Sequence, residues 1–208
     1  MSRYPTADEF KTILLSMPLL EVVRTHVLQG LPYVFRDNPE SLKVLNQHLC
    51  GALPLKTDDI RVVGSARTGF SLSPDNFPRQ FSDGSDIDVL VVDEALFDTV
   101  WLTMLRWHYP RRIVGLPDTA DKRWVGVRKT ELYWGWFVPN HIRYNGLSLP
   151  KILAPIRDMS TAWFNAFQNL SRHPTFAGRT VSGRLYRTWD HATLYHADGL
   201  RQIKESLV

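Results

Sequence analysis

The chain has 208 residues, of which 44% are hydrophobic and 12% aromatic, enough to bury one substantial core. Its formal net charge is +4, with 9 Lys and Arg against 14 Asp and Glu up to residue 104 and 16 against 7 beyond it. The single cysteine, Cys50, excludes an intramolecular disulfide and a cysteine-based zinc site, and no stretch approaches the roughly 20 apolar residues of a membrane span. These properties predict a soluble, cytoplasmic protein without a membrane partner, and they leave its oligomeric state open.

The first half of the chain shows two helical patterns followed by two strands. Apolar residues at three- and four-residue spacing predict one amphipathic helix, or two short ones, over residues 7–30. Pro39 stands at the start of a second predicted helix over residues 39–53. The β-branched runs at 60–64 and 87–92 are bounded by Gly, Ser and Asp, which is typical of strands.

The second half is less regular. A helix with acidic residues in its first turn is predicted over 93–109, and another over 149–170 with an interruption at Pro155. The end of the chain alternates like a strand over 181–189 and then changes to helical spacing. Residues 110–150, rich in proline, glycine and aromatic residues, match no single pattern.

This order of elements predicts one domain of the α/β (α+β) class, built on a sheet flanked by helices. We expect residues 1–55 to form an N-terminal helical region and residues 56–110 to form the core that carries the chemistry. Residues 150–208 would complete the domain with helical and strand segments.

Two aspartates open the second predicted strand, in the segment "SDGSDIDVLVV". Side chains two apart in a strand point the same way, so Asp86 and Asp88 share a face, roughly 6 to 7 Å apart, while Ile87 and Val89 occupy the other. Two such carboxylates repel each other unless a positive charge lies between them. Carboxylate oxygens suit Mg²⁺ or Mn²⁺, which borrow further ligands from phosphates, although Asp-x-Asp at a strand start is also common as a simple loop end or cap.

A Gly-Ser turn follows the first predicted strand, in "RVVGSARTGF". Gly64 allows the backbone to turn sharply and approach a phosphate, and the hydroxyl of Ser65 can donate to a phosphate oxygen. Arg67 and Thr68, in the short helix expected next, are further candidates for nucleotide binding.

Together, a strand, Gly-Ser, a loop and Asp-Ile-Asp on the next strand resemble the nucleotidyltransferase superfamily of DNA polymerase β, which includes minimal nucleotidyltransferases and cyclic-oligonucleotide synthases. The resemblance covers residues 59–93. It implies that Gly64 and Ser65 hold the triphosphate and that Asp86 and Asp88 bind Mg²⁺ or Mn²⁺. It also implies transfer of a nucleoside monophosphate from a nucleoside triphosphate to a protein, RNA or nucleotide acceptor, and a role in a bacterial toxin-antitoxin or antiphage module.

The chain departs from the family pattern in two ways. Twenty residues separate Ser65 from Asp86, which is a longer connection than the family usually has, and the insertion contains Arg79 as a further candidate for phosphate contact. Active members usually carry a third carboxylate on a later strand. The candidates here are Asp190, which we prefer as the third catalytic residue, and Glu131.

Two other functions stay open. Without a third carboxylate, the same fold would serve as a catalytically inactive nucleotide sensor or partner-binding subunit. Alternatively, the basic second half would bind RNA through the arginines and aromatic residues of segment 184–195, such as Arg184 and Tyr195, although these residues are more often packing residues.

Overall fold

A computed structural model describes residues 4–113, 130–143, 151–176 and 178–208. The described helices are α1 (Ala7–Ser16), α2 (Leu19–Val22), α3 (Glu40–Ala52), α4 (Ser65–Thr68), α5 (Glu94–Ile113), α6 (Ala154–Arg172) and α7 (Trp189–Ser206). The described strands are β1 (Ile60–Val63), β2 (Ile87–Val92), β3 (Trp136–Phe137) and β4 (Val181–Tyr186).

The four strands form one mixed sheet in the order β1-β2-β4-β3. β1 pairs antiparallel with β2, with Val63 opposite Asp88. β2 pairs parallel with β4, with Asp88 opposite Ser182, and the short β3 runs antiparallel to β4. The central pair therefore joins two segments that are almost a hundred residues apart in the sequence.

Helices cover both faces of the sheet, because successive side chains of each strand point to opposite faces and both faces carry apolar side chains. The first face, with Ile87, Val89 and Leu185, packs in one apolar cluster with residues of α3, α5 and α6. The second face, with Leu90 and Tyr186, packs in another cluster with residues of α1, α2 and α7. The predicted α+β class, a sheet flanked by helices with helical segments at both ends, is confirmed.

The predicted helices and strands up to residue 92 are confirmed, with bounds that are the same or shorter. The 7–30 pattern is divided at Pro18 into α1 and α2, followed by a π-helical turn at Val23–Val27. The Thr6 side chain caps α1 by accepting a hydrogen bond from the Glu9 backbone, and the Glu9 carboxylate accepts one from the Thr6 backbone. Both predicted strands form, and the predicted helix after β2 is α5.

Two boundaries in the second half were wrong. Pro155 does not interrupt a helix but lies in the first turn of α6, where a missing backbone N–H leaves no hydrogen bond unmade. The predicted strand over 181–189 stops at Tyr186, because Thr188 accepts a hydrogen bond from the backbone of His191 and caps α7. Much of the unassigned region, residues 114–129 and 144–150, lies outside the described residues.

No helix in the described ranges combines the length and apolar character needed to cross a membrane.

Candidate functional site

A cleft of about 1600 Å³ opens over the second face of the sheet. Its lining includes Gly64 and Ser65 after β1, Asp86 and Asp88 at the start of β2, and the first residues of β4. Successive turns of α7 form one wall of the cleft, and residues of the insertion before β2 also line the cleft. The cleft thus brings together both sequence elements that the strand patterns singled out.

Gly64 lies against Asp88 at the floor of the cleft. Its backbone has φ +65° and ψ −151°, a region that is essentially restricted to glycine. A Cβ atom at this position would lie 3.0 Å from Oδ2 of Asp88. The antiparallel pairing of Val63 with Asp88 sets this close approach, so the turn requires glycine for two independent reasons.

The aspartate pair lies at the start of β2: Asp86 directly precedes the strand, and Asp88 is its second residue. Asp86 and Asp88 both line the cleft, whereas Ile87 and Val89 are buried in the core on the opposite face. Asp88 accepts a hydrogen bond on Oδ1 from the Ser182 hydroxyl at 3.1 Å. That hydrogen bond fixes one carboxylate oxygen of Asp88. The neighbouring Asp86 is exposed.

Although Asp88 is open to solvent in the cleft, protein surrounds it closely on the other sides. This desolvation raises the pKa of the Asp88 carboxyl, and the negative charge of Asp86 raises it further. The hydrogen bond from Ser182 and the charge of Arg184 act in the opposite direction but do not cancel the increase. A cation bound between the two carboxylates would offset this repulsion.

Sequence reasoning did not identify Ser182 and named Arg184 only as part of a possible RNA-binding segment, yet both residues of β4 face the cleft beside Asp88. Parallel pairing sets Ser182 opposite Asp88 and Arg184 two residues further along the same face, and both line the cleft. The available signal was the alternation of "VSGRLY", which puts polar residues on one face of a strand. The sequence does not show that this strand pairs with β2.

Aromatic rings hold the Arg184 guanidinium. Its Cζ lies 4.5 Å from the ring centroid of Trp136 and 4.5 Å from that of Tyr195. Burial raises the pKa of the adjacent Tyr186 hydroxyl, so this phenol stays neutral. Burial, with the charge of Arg184, also lowers the pKa of His196 to about 4, which makes this imidazole neutral at pH 7.

A second arginine, Arg179, holds the turn that leads into Asp86. Its guanidinium donates to the backbone oxygens of Ser82 (2.6 Å), Asp83 (2.8 Å) and Ser85 (3.1 Å), and to the Asp83 carboxylate at 3.0 Å. Several charge-assisted bonds to one turn restrict its conformations strongly. Arg179 thereby positions the backbone from which Asp86 projects into the cleft.

An aromatic rim borders the cleft on the side of β3. The side chains of Tyr133 and Trp134 are 76% and 65% exposed, and their ring centroids lie 5.0 Å apart. Gly135, with φ +73°, lets this turn pack against α7, since any side chain there would run into the ring of His191. These two rings lie within residues 110–150, which match no single sequence pattern, and they line the rim of the cleft.

Arg67 and Thr68 do not line the cleft, although the sequence suggested them for nucleotide binding. The buried Arg67 guanidinium donates to the backbone oxygens of Leu31 and Gln29, and the Thr68 hydroxyl to that of Phe70. In a helix of one turn, successive side chains point in different directions, and only Ser65 of α4 lines the cleft. Arg67 instead anchors the N-terminal region against the sheet.

The two candidates for a third carboxylate lie elsewhere. Asp190 is exposed in the first turn of α7 and is not part of the cleft lining, because the chain turns from strand to helix before reaching it. Glu131 accepts a hydrogen bond from the Val138 backbone at 3.1 Å, and its other carboxylate oxygen lies 3.1 Å from Nδ1 of His141, so the carboxylate makes its contacts within its own loop.

The donors present fit a divalent cation that keeps most of its ligands outside the protein. The described residues contain no group of three His, Cys, Asp or Glu side chains arranged to hold a metal. Asp86 and Asp88 supply two neighbouring carboxylates at the floor of an open cleft, a set that could hold Mg²⁺ or Mn²⁺ completed by water and phosphate oxygens.

Comparisons with protein-family models, curated proteins and solved structures found no match to this chain.

Proposed function

We propose that this chain is a metal-dependent nucleotidyltransferase, which binds a nucleoside triphosphate with Mg²⁺ or Mn²⁺ in the cleft and transfers its nucleoside monophosphate to an acceptor hydroxyl. The observation that carries this proposal is the convergence of the Gly64-Ser65 turn with Asp86 and Asp88 on one cleft floor. A Gly-Ser turn and an Asp-x-Asp strand need not meet in space, and here they are in direct contact.

Each of these residues has a distinct part in binding. The carboxylates of Asp86 and Asp88 would hold the cation, which would offset the negative charge that develops during transfer. The Ser65 hydroxyl, which makes no hydrogen bond to any described residue, would donate to a phosphate oxygen, and the missing side chain of Gly64 leaves room for the phosphate chain. The exposed rings of Tyr133 and Trp134 at the rim would stack on a base.

In the transfer itself, the acceptor oxygen forms a bond to the α-phosphorus while the bond from that phosphorus to the bridging oxygen breaks. Pyrophosphate leaves, and the acceptor's proton passes to water in the open cleft. The volume of the cleft, about 1600 Å³, exceeds what one nucleotide requires. A protein side chain, an RNA end or a second nucleotide would each fit as the acceptor.

The test is to incubate the purified protein with each labelled nucleoside triphosphate and Mg²⁺ or Mn²⁺, and to measure pyrophosphate release and labelled products. Asp88→Asn should abolish release, because it removes one of the two cation ligands. Asp75→Asn is the matched control, since Asp75 lines the same cleft from the insertion and should leave release unchanged. Full activity in Asp88→Asn would refute the proposed site.

One observation favours a second function, that of a nucleotide sensor without turnover. The strand next to Asp88 presents Ser182 and Arg184 to the cleft, where active relatives of the resembled family usually have an acid. A sensor would bind Mg²⁺ and a nucleoside triphosphate, would lose that binding in Asp88→Asn, and would release no pyrophosphate even with protein and RNA acceptors present. The same samples therefore separate the two functions.

A further inference from the structure

Arg184 is a half-buried cation that faces the candidate phosphate site. It projects from β4 on the same face as Asp88, and its contacts are the rings of Trp136 and Tyr195 and the Tyr186 hydroxyl at 3.5 Å. None of the described carboxylates forms an ion pair with it. Asp88 and Arg184 lie on the paired strands β2 and β4, and both line the cleft.

A guanidinium in this state is suited to bind an anion. Taking a charge out of water is unfavourable unless another charge or hydrogen bonds compensate for it, and neutral rings compensate only in part. The planar guanidinium matches the geometry of phosphate oxygens, and the stacking of Trp136 and Tyr195 restricts its rotamers before any ligand arrives. The open side of Arg184 is the cleft itself.

The position of Arg184 beside the aspartate pair disfavours binding of a second divalent cation. A second ion beside Asp88 would need a further carboxylate, and the neighbouring residues of β4 are Ser182, whose hydroxyl donates to Asp88, and Arg184. The described residues contain no third acid grouped with the pair. A fixed positive charge nearby also repels an additional cation.

We infer that Arg184 takes the place of a second metal ion, so that the cleft binds a nucleoside triphosphate with a single divalent cation held by Asp86 and Asp88. The guanidinium contacts the phosphate chain directly and neutralises part of its charge. This inference rests on the proposed nucleotide site and deepens it, because it assigns the phosphate-binding cation and the metal stoichiometry.

The experiment measures two quantities on the full chain. Isothermal titration gives the affinity for a non-hydrolysable triphosphate analogue at saturating Mn²⁺, and electron paramagnetic resonance counts the Mn²⁺ ions bound per protein in the presence of the analogue. Arg184→Gln should weaken analogue binding by about 10- to 100-fold, as expected for loss of a charge-assisted contact. Wild type should bind one Mn²⁺ per protein.

Three further variants make the result specific. Arg61→Gln is the matched control: Arg61 also projects from a strand and contacts a tryptophan ring, Trp189 at 5.0 Å, but it does not line the cleft. Its affinity should stay within about two-fold of wild type. Arg184→Lys keeps the charge without the planar fork and should lose less affinity than Arg184→Gln. Ser182→Asp adds a carboxylate beside Asp88 and should raise the count to two Mn²⁺ ions.

Each outcome decides between the ideas. Two Mn²⁺ ions in wild type, or analogue affinity in a folded Arg184→Gln protein equal to that of Arg61→Gln, would overturn this inference while leaving the nucleotide site intact. If Arg184→Gln fails to fold, the Arg184→Lys affinity and the Mn²⁺ counts of wild type and Ser182→Asp decide the matter. No analogue binding to wild type would refute the nucleotide site and the inference with it.

Discussion

Replacement of Gly64 by alanine tests whether the floor of the cleft is built as described. Two effects add at this position. The backbone conformation, φ +65° and ψ −151°, is one that residues with a Cβ rarely adopt, and holding such a residue there costs about 1–3 kcal/mol. The new Cβ would also stand 3.0 Å from Oδ2 of Asp88, so the carboxylate must shift.

We therefore expect Gly64→Ala to lower the free energy of unfolding by about 1–3 kcal/mol, which for a domain of this size lowers Tm by roughly 2–12 °C. Circular dichroism during thermal unfolding measures this change, and Mn²⁺ titration should show weaker binding as well. Gly84→Ala is the control, because Gly84 lines the same cleft, has no positive φ, and has nothing within 4 Å of an added Cβ. Its stability should change by no more than about 1 kcal/mol.

A double variant separates the two effects. In Gly64→Ala/Asp88→Ala the close contact is gone but the backbone strain remains, so adding Gly64→Ala to an Asp88→Ala background should destabilise less than adding it to wild type. If Gly64→Ala is as stable as Gly84→Ala, the turn does not have the described conformation and the reasoning about the cleft floor fails.

Three further outcomes follow from the charges of the site. The pKa of Asp88 is raised in the folded protein, so its ionised form opposes folding above that pKa. With a metal chelator present, Asp88→Asn should therefore be more stable than wild type at pH 7, and this difference in stability should vanish below about pH 4. A variant that is less stable than wild type at pH 7 would contradict this. Arg179→Gln should lower the free energy of unfolding by about 1–3 kcal/mol and should also weaken Mn²⁺ binding, because it releases the turn at residues 82–85. Replacement of the exposed Arg172 by glutamine should change neither quantity. Because the pKa of His196 is lowered to about 4, the unfolded chain takes up a proton at this residue before the folded protein does as the pH falls. Chemical unfolding should show that the free energy of unfolding of wild type decreases by roughly 3 kcal/mol between pH 7 and pH 4, and that His196→Phe does not show this decrease. Equal losses in both proteins would show that this imidazole is not buried.

The local part of the site could be predicted from the sequence. A strand followed by Gly64-Ser65, and a strand beginning Asp86-Ile-Asp88, are properties of a few adjacent residues, and the alternation of side chains along a strand fixes which of them share a face. In the structure, Asp86, which directly precedes β2, and Asp88 both line the cleft. The antiparallel neighbours β1 and β2 also follow each other in the sequence, separated only by the insertion.

The two predicted boundaries that were wrong, one of a helix and one of a strand, depended on competition between local signals. Pro155 is compatible with either an interrupted helix or a helix that begins there, and packing of α6 against the sheet selects the second. Alternation up to Trp189 favoured a longer strand and would have set Asp190 near the aspartate pair. The cap at Thr188 ended the strand earlier, and Asp190 was carried away from the cleft with the first turn of α7.

The sequence by itself determined that two carboxylates and a glycine turn stand at the ends of adjacent strands, because these are short-range consequences of backbone geometry. Only the tertiary structure decided what faces them. Parallel pairing of β2 with β4 brings Ser182 and Arg184 beside Asp88 across more than ninety residues of chain, and burial of Arg67 against residues 29–31 removes it from the cleft. Such pairings depend on how two helical layers pack against one sheet, and no local pattern in the chain encodes that packing.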